Sequence, residues 1–337
     1  MDRPTYPHER IQSIQSLCCA LGLSEPTLRA IASRAPNLYI GPKPKPKKNG
    51  GIRYVFDTKS PLKPLLKKIN SIFFRRVVFP QYLTGSLSGR DFVANVDVHR
   101  NSRQAITEDI AQFFDCITAD HVYRIWRDFF AFGEDVADLL TRLTTKNGRV
   151  YQGTPTSSYL ANLAFWDREP ILVEKLATRN IRYSRYVDDI TMSSVGVLEA
   201  DDKSWAIAQA YAMIGANGFK PQRTKHAAFA GGSPIRIMGL NANRHPTLPK
   251  QERAQIRALV FQLEQSLARG DTGAVFRSRL NTASGKVGRL KRLHSREGEA
   301  LRLRLNKIRR VLDVLPLVTC PTTPPGERVQ GEDAAPF

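Results

Sequence analysis

Cysteine is scarce in this sequence of 337 residues, and long apolar runs are lacking. The four cysteines are Cys18, Cys19, Cys116 and Cys320. Neighbouring cysteines do not easily bridge each other, and without a C-x-x-C pair the spacing does not indicate zinc. No stretch approaches the ~18 apolar residues that span a bilayer, and no basic segment followed by an apolar one opens the chain. We therefore expect reduced thiols in a cytoplasmic protein without membrane insertion.

Acidic residues are also few. The chain has 31 Asp and Glu against 51 Lys and Arg, which gives a formal net charge of +20. An excess of this size predicts a polyanionic partner, either nucleic acid or an anionic membrane surface.

The positive charge concentrates near the end of the chain. Between Lys250 and Arg310 there are 16 basic and 5 acidic residues, and apolar residues recur there at helical spacing. Such helices would pack with their apolar sides and present basic sides to phosphates. The alternative is an ordinary solvated helix surface, which normally mixes both signs. The candidates for RNA contact in this region are Arg289, Lys291, Arg292 and Arg302.

The hydrophobic pattern divides the chain into sections. Hydrophobic residues make up 42% of the sequence, enough for a substantial core. The spacing predicts helices early in the chain and from about 61 to 79. It predicts a basic hairpin loop in "IGPKPKPKKNGGIRYV", alternating strands and helices from about 90 to 240, and helices after Pro249. The predicted sections are 1–38 (helical), 39–245 (mixed α and β), 246–316 (basic helical) and 317–337 (a Pro-rich disordered tail).

Two adjacent aspartates stand in the run "RYSRYVDDITMSS", from Arg182 to Ser194. Carboxylates in a strand repel each other and are costly to desolvate. The pattern predicts two short strands, with Asp188 and Asp189 at or next to the turn. A pair of this kind is stable when divalent cations neutralise it, and magnesium suits few carboxylates plus water and substrate phosphates. The alternative is an ordinary polar turn, so the hypothesis needs partners elsewhere.

The first partner is in "AITEDIAQFFDCIT", where Asp109 ends a strand-like run. A third carboxylate from a neighbouring strand would complete a site for two cations ~3.5–4 Å apart, and the carbonyl of Ile110 could add a ligand. An acid at the start of a helix is the alternative interpretation of Asp109.

A second partner is "QGTPTSSYLANLAF", a Gly-containing turn that leads into a helix beginning near residues 156–158. Small residues let the backbone approach a flat ligand, and helix N-terminal amides suit phosphates. Gln152 offers a donor and an acceptor near the turn. The alternative is an ordinary junction between a loop and a helix.

In order, "DIAQFF", "QGTPTS" and "YVDD" resemble motifs A, B and C of reverse transcriptases. "KKNGGIRYV" is similar to the fingers segment of that family, "GFKPQRTKHAAF" to motif D and "IRIMGLNAN" to the primer grip. The resemblance covers residues 40 to 245, and the basic helices beyond match a thumb. It implies an α+β right-hand polymerase fold with fingers, a palm with an antiparallel sheet, and a helical thumb.

The short chain favours the retron-type branch of that family. "NVDVH", from Asn95 to His99, resembles the retron sequence NAxxH, with Val in place of Ala. "IMG", from Ile237 to Gly239, keeps only the Gly of VTG, and motif B has "TSS" where TSP is usual. Proteins of group II introns normally add maturase and often endonuclease regions. Because few residues follow position 315, we expect neither these regions nor an RNase H domain in this sequence.

The resemblance implies roles for the site residues. Asp109 and Asp188 would be the principal ligands of two Mg²⁺ ions, with Asp189 a weaker ligand or an orienting group. Arg53 would hold the triphosphate, helped by Lys47 or Lys48. The other candidates are Phe114 (a gate against a ribose 2′-OH), Gln152 and Gly153 (beside the incoming nucleotide), Lys225 (a proton donor to pyrophosphate) and Tyr186 (near the primer end).

The retron resemblance also implies a substrate and partners. The enzyme would prime from a 2′-OH of its own structured noncoding RNA and copy part of that RNA from dNTPs into a branched RNA–DNA hybrid. A host RNase H would remove template, and a separate effector protein would act with the complex in anti-phage defence. Asn95 and His99 are either RNA contacts or a polar pair satisfied within the fold. The alternative functions are a non-retron bacterial reverse transcriptase and a non-catalytic RNA-binding scaffold.

Overall fold

The computed structural model describes residues 2–46, 50–230 and 232–314. The chain divides into two compact units, and the second begins at Lys250. Within these ranges, every helix is too short or too polar to cross a membrane. Lys47, Lys48 and the predicted tail at 317–337 lie outside the described residues.

The first unit combines helices with short strands. Its helices are α1 (Ile14–Leu21), α2 (Glu25–Arg34), α3 (Leu62–Ile72), α4 (Phe92–Val98), α5 (Phe113–Cys116), α6 (Ala119–Arg124), α7 (Glu134–Thr144), α8 (Ser157–Leu163), α9 (Glu169–Ala177) and α10 (Ala200–Ala216). Its strands are β1 (Tyr39–Pro46), β2 (Ile52–Thr58), β3 (Gln104–Asp109), β4 (Arg182–Tyr186), β5 (Asp189–Ser194), β6 (Ala227–Phe229), β7 (Arg236–Ile237) and β8 (Leu240–Asn241).

The second unit contains three long helices. They are α11 (Lys250–Ala268), α12 (Ala274–Leu293) and α13 (Ser295–Val314). Their apolar stripes face one another, with Val260, Leu280 and Leu305 all buried.

A four-stranded sheet in the order β4-β5-β3-β6 positions the acidic residues, and all of its pairings are antiparallel. Strand β3 lies between β5 and β6, and five of its six side chains are buried. In the register of β3 and β5, Asp109 is opposite Asp189. The α+β prediction with an antiparallel sheet is confirmed, as is the hairpin with the aspartates at its turn.

One sequence expectation about helices is corrected. The helix predicted from 61 to 79 ends at Ile72 and is followed by a short 3₁₀ turn, Phe74–Arg76. Phe73 and Phe74 are buried at this bend and pack against the ring of Trp126. Tertiary packing of the aromatic rings thus replaces the continuous helix that the apolar spacing indicated.

The turn between β4 and β5 has a strained backbone. Val187, the second residue of "YVDD", has φ +62°, which is unusual for a β-branched side chain. Gly85 packs directly on it: a Cβ at position 85 would be 2.5 Å from the amide nitrogen of Val187. Asn162 fixes Gly85 by donating from Nδ2 to its carbonyl at 2.9 Å. The turn therefore depends on a close approach that only glycine permits.

A buried ion pair supports the same turn. Arg185 on β4 is fully buried, and its Nε and Nη2 donate to the carboxylate of Glu169 at 2.6 and 2.8 Å. Its Nη1 donates to the carbonyl of Val187 at 2.9 Å. Tyr183 donates from its hydroxyl to Glu169 at 2.7 Å. Glu169 therefore neutralises the charge of Arg185, and Arg185 stabilises the turn through the carbonyl of Val187.

Asn95 and His99 lie inside the first unit and are 1% and 0% exposed. The two ring nitrogens of His99 contact Oγ of Ser193 and Oγ of Ser184, each at 2.7 Å. Ser184 and Thr84 donate to Oδ1 of Asn95 at 2.8 and 2.6 Å. These contacts hold both side chains inside the fold, although Nδ2 of Asn95 has no hydrogen-bond partner among the described residues. They link α4 to the strands on both sides of the turn.

Gly85→Ala is expected to displace the turn, because the added methyl group would meet backbone atoms of Tyr186 and Val187. Overpacking of this kind costs about 1–3 kcal/mol of unfolding free energy. Urea unfolding measures it, with Gly215→Ala as the control, since a Cβ there meets nothing within 4 Å. Equal midpoints for Gly85→Ala and wild type would contradict the close packing.

His99 makes stability depend on pH. Burial, with a smaller contribution from Arg182, lowers the pKa of His99 to about 3. Between the unfolded pKa near 6.5 and that value, the unfolded chain binds the extra proton, so stability falls as pH falls. The loss from this residue should reach about 2 kcal/mol between pH 7.5 and 5. The difference in stability between wild type and His99→Gln should shrink by this amount over that range. A difference constant with pH would contradict it.

Candidate active site

Three carboxylates meet at one edge of the central sheet. Asp109 is the last residue of β3, Asp189 is the first of β5, and Asp188 lies in the turn before it. The amide of Ile110 donates to the carbonyl of Asp188 at 3.1 Å, which ties the end of β3 to the turn. The three acids predicted as a group are therefore brought together, although about 80 residues separate the first from the others.

The carboxylates are costly to keep charged in this position. Burial raises the pKa of Asp188, and the charge of Asp109 adds to that effect. Burial and the charges of Asp188 and Asp109 raise the pKa of Asp189 to about 7. A positive charge among them would stabilise the ionised forms.

Lys225 supplies one such charge. Its Nζ donates to Oδ2 of Asp109 at 2.7 Å, although more than half of the lysine side chain is exposed. Burial opposes the charge of Lys225, but the bond to Asp109 and the neighbouring carboxylates outweigh it, and its pKa is raised. The lysine predicted from the motif D resemblance thus lies at the acidic cluster.

The residues next to Asp109 and Lys225 in the sequence, Glu108 and His226, support the position of this lysine. Glu108, on the opposite face of β3 from Asp109, is buried and contacts Nδ1 of His226 at 2.7 Å. Tyr211 donates from its hydroxyl to the same carboxylate at 3.0 Å. Two consecutive residues of β3, Glu108 and Asp109, therefore bind two consecutive residues at the end of the 3₁₀ turn Arg223–Lys225. Glu108 contacts His226, and Asp109 contacts Lys225. Sequence reasoning missed Glu108 and His226, because their contact spans 118 residues.

The donor chemistry fits a hard divalent cation, since the cluster consists of carboxylate oxygens with no thiol or imidazole. Nevertheless, among the described residues no group of three or more His, Cys, Asp or Glu side chains is arranged as a preformed metal site. The Lys225 ammonium group contacts Asp109 where a cation would bind. A cation bound at that oxygen would displace the ammonium group of Lys225.

The turn with Gln152 and Gly153 packs against the β1–β2 hairpin. The amide of Phe56 donates to the carbonyl of Gln152 at 2.8 Å. Gly153 has φ +106°, and a Cβ there would be 2.4 Å from the carbonyl oxygen of Phe56. The structure thus joins motif B to strand β2, on which Arg53 is exposed.

Phe113 and Phe114 follow β3 on the short helix α5. Phe113 is buried and stacks on Phe165, in agreement with a core role. Phe114 is only partly buried and packs against the edge of the same core. This exposure leaves its ring available for the predicted contact with a nucleotide.

The basic candidates of the second unit differ in their contacts. Arg289 bonds to Glu252 at 2.8 Å, and Lys291 lies 3.5 Å from Glu299. Arg292 is in the last turn of α12. Arg302 instead donates to Ser284.

Known proteins are similar to the chain over most of its length. It is 32% identical over 317 residues to the retron Se72 reverse transcriptase of Salmonella heidelberg, covering 93% of this chain and 84% of that protein. It is 28% identical over 314 residues to the retron Ec48 reverse transcriptase of Escherichia coli, covering 89% and 76%. No family model matches the chain.

A telomerase from Candida albicans, solved with a fragment of telomeric RNA, is similar with a TM-score of 0.46 and 9% identity, covering 85% of this chain and 59% of that one. A similarity this weak does not establish a relationship. The retron relatives do, and the α+β architecture agrees with the polymerase fold that the resemblance implied. The chain therefore belongs to the retron reverse transcriptases, a family of RNA-directed DNA polymerases.

Proposed function

We propose that the cluster of Asp109, Asp188 and Asp189 is the catalytic centre at which the chain copies part of its own noncoding RNA into DNA. One observation carries the proposal: the buried carboxylate of Asp109 and the half-buried carboxylates of Asp188 and Asp189 converge beside Lys225 in a chain that is 32% identical to a retron reverse transcriptase. Mutually repelling acids at a sheet edge destabilise the fold, which a role in binding cations explains.

Asp109 and Asp188 are the proposed ligands of two magnesium ions, with Asp189 as a weaker ligand or an orienting group and the carbonyl of Ile110 as a further ligand. Bound divalent cations would supply the positive charge that activates a priming hydroxyl and neutralises the leaving pyrophosphate. The strained turn at Val187 fixes where the carboxylate of Asp188 is presented. The buried Arg185 stabilises this turn by donating to the carbonyl of Val187.

Lys225 is the proposed proton donor to pyrophosphate. A lysine side chain is protonated at neutral pH, as a general acid must be before it acts. Its bond to Asp109 holds it at the cluster, and His226 and Glu108 anchor the turn from which it extends.

The hairpin and the motif B turn form the proposed nucleotide side. Arg53 would hold the triphosphate through charge-assisted hydrogen bonds, with Lys48 nearby in sequence. Gln152 and Gly153 would lie against the incoming dNTP, and Phe114 would exclude its 2′-OH. The packing of Phe56 on the Gln152–Gly153 turn supports a single surface for these contacts.

The proposed fingers and palm comprise residues 39–245, and the proposed thumb comprises 246–316. The observed start of the second unit at Lys250 and its three basic helices support this division. RNA stem-loops are read mainly through phosphates, 2′-OH groups and shape, which suits a basic helical surface.

The retron relatives support a more specific product. The chain would prime from an RNA 2′-OH and form a branched RNA–DNA hybrid (msDNA), with host RNase H removing template. A separate effector protein and a part in anti-phage defence belong to the same proposal, as does a cytoplasmic location. Sequencing of DNA co-purified with the protein would test it: a 2′-linked branch supports the proposal, and only linear DNA contradicts it.

Asp188→Asn is expected to reduce dNTP incorporation on an RNA template with Mg²⁺ by more than about 100-fold, because even outer partners of metal ligands cost 10–100-fold. Primer extension with purified protein measures this. Asp138→Asn is the matched control, since Asp138 is exposed and pairs only with Arg142 on α7. Equal incorporation by wild type and Asp188→Asn would contradict the assigned centre.

Phe114→Ala is expected to admit ribonucleotides, because the space above the 2′ position would open. The ratio of kcat/KM for a ribonucleotide to that for the matching deoxyribonucleotide should rise by about 10- to 100-fold. Phe114→Tyr keeps the bulk of the ring and should retain wild-type selectivity. An unchanged ratio in Phe114→Ala would remove Phe114 from the gate.

A further inference from the structure

Two arginines of the second unit converge on one hydroxyl group. Arg302 and Arg309 lie two turns apart on α13, and Ser284 lies on α12. Nη1 of Arg302 and Nη2 of Arg309 each donate to Oγ of Ser284 at 2.7 Å. Nη2 of Arg302 also donates to the carbonyl of Ser284 at 3.1 Å. The two guanidinium groups are therefore close together, which is unfavourable for like charges unless an anion compensates them.

Other cations already pair with the five carboxylates between residues 250 and 310. The pairs between residues 250 and 310 are Glu252 with Arg289, Glu264 with Arg304, Asp271 with Arg269, Glu297 with Arg253 and Arg257, and Glu299 with Lys291. In the part of the unit that the structure describes, no carboxylate contacts Arg302 or Arg309. Their convergence is thus not explained by an ion pair of the described residues.

Ser284 adds an unused donor. Its Oγ accepts from both arginines, and within the described ranges its own proton has no acceptor. An anion with several oxygens could accept from this hydroxyl and from N–H groups of both arginines. Phosphate groups suit such an arrangement, because planar guanidinium groups bind their oxygens in a fork.

Two glycines of α12, Gly285 and Gly288, follow Ser284 in the sequence. A Cβ at Gly285 would meet nothing within 4 Å, and one at Gly288 would lie 3.2 Å from Nη2 of Arg302. A side chain at position 288 would crowd the guanidinium group of Arg302. The open space at Gly285 leaves room for a bulky ligand. The surface of α12 next to Ser284 in sequence therefore has open space at Gly285.

We propose that Arg302, Arg309 and Ser284 form a binding site for one phosphodiester group of a nucleic acid backbone. The ligand class follows from the two uncompensated guanidinium groups in a unit that has 16 basic and 5 acidic residues between Lys250 and Arg310. The inference rests on the proposed function, which supplies RNA and an RNA–DNA hybrid as possible sources of the phosphate. Arg309 was not among the residues selected from the sequence.

The test measures equilibrium binding of the full chain to an RNA hairpin and to an RNA–DNA hybrid of the same sequence. Divalent cations and nucleotides are omitted, so that binding does not depend on catalysis, and the KCl concentration is varied. Loss of a phosphate contact lowers the slope of log K against log salt concentration by about 1. Arg302→Gln and Arg309→Gln should each lower the slope. The double variant should lower it by about 1 in total, because both arginines hold the same phosphate.

Two controls separate this site from diffuse charge. Arg310→Gln removes an exposed charge from the same helix, and its effect should add to that of Arg302→Gln. The pair Arg304→Gln and Glu264→Gln removes a neutralised ion pair and should leave the slope unchanged. Thermal unfolding in the same buffer verifies that each variant is folded.

The outcomes are distinct. Unchanged slopes in both single variants, or effects of Arg302→Gln and Arg309→Gln that add fully, would overturn the site while steep wild-type slopes leave the proposed function intact. Wild-type protein that binds neither nucleic acid would overturn both. A reduced slope on one substrate alone assigns the phosphate to that substrate, and a reduction on both shows that either strand can supply it.

Discussion

Repulsion among the carboxylates of Asp109, Asp188 and Asp189 is the constraint around which the first unit is organised. Burial raises the free energy of the charged acids, and each charge raises it further for its neighbours. The fold tolerates this arrangement because Lys225 contributes an opposite charge at 2.7 Å from Asp109. In the proposed function, bound divalent cations would neutralise the negative charge that Lys225 leaves uncompensated.

The acids are held together by strand pairing and by packing around the turn at Val187. The antiparallel register of β3 and β5 places Asp109 opposite Asp189. Beneath the turn, Glu169 neutralises Arg185, which in turn binds the carbonyl of Val187. Gly85 also packs directly against Val187. Fully buried, well-bonded polar groups of this kind make the backbone rigid, and rigidity is what preorganises a catalytic centre.

The sequence predicted the acidic cluster because motif order and strand pattern are local signals. Asp109 ends a strand-like run and the Asp188 pair follows another, so their convergence follows once both strands belong to one sheet. Polar contacts between distant segments leave no such signal. His99 bonds to Ser184 and Ser193, 85 and 94 residues away, and its burial depends entirely on partners that spacing does not reveal. For the same reason Arg309 was missed, since its role depends on Ser284 of the preceding helix.

We propose that these acids exchange the Lys225 ammonium group for divalent cations when substrates bind. A crystal structure of the chain with an RNA template, a DNA primer, a non-reactive dNTP and Mn²⁺ would test this through the anomalous signal of manganese. The account predicts a peak about 2 Å from carboxylate oxygens of both Asp109 and Asp188, with Nζ of Lys225 no longer bonded to Asp109. A complex with template, primer and dNTP in place, Lys225 still on Asp109 and no manganese at the cluster would contradict it.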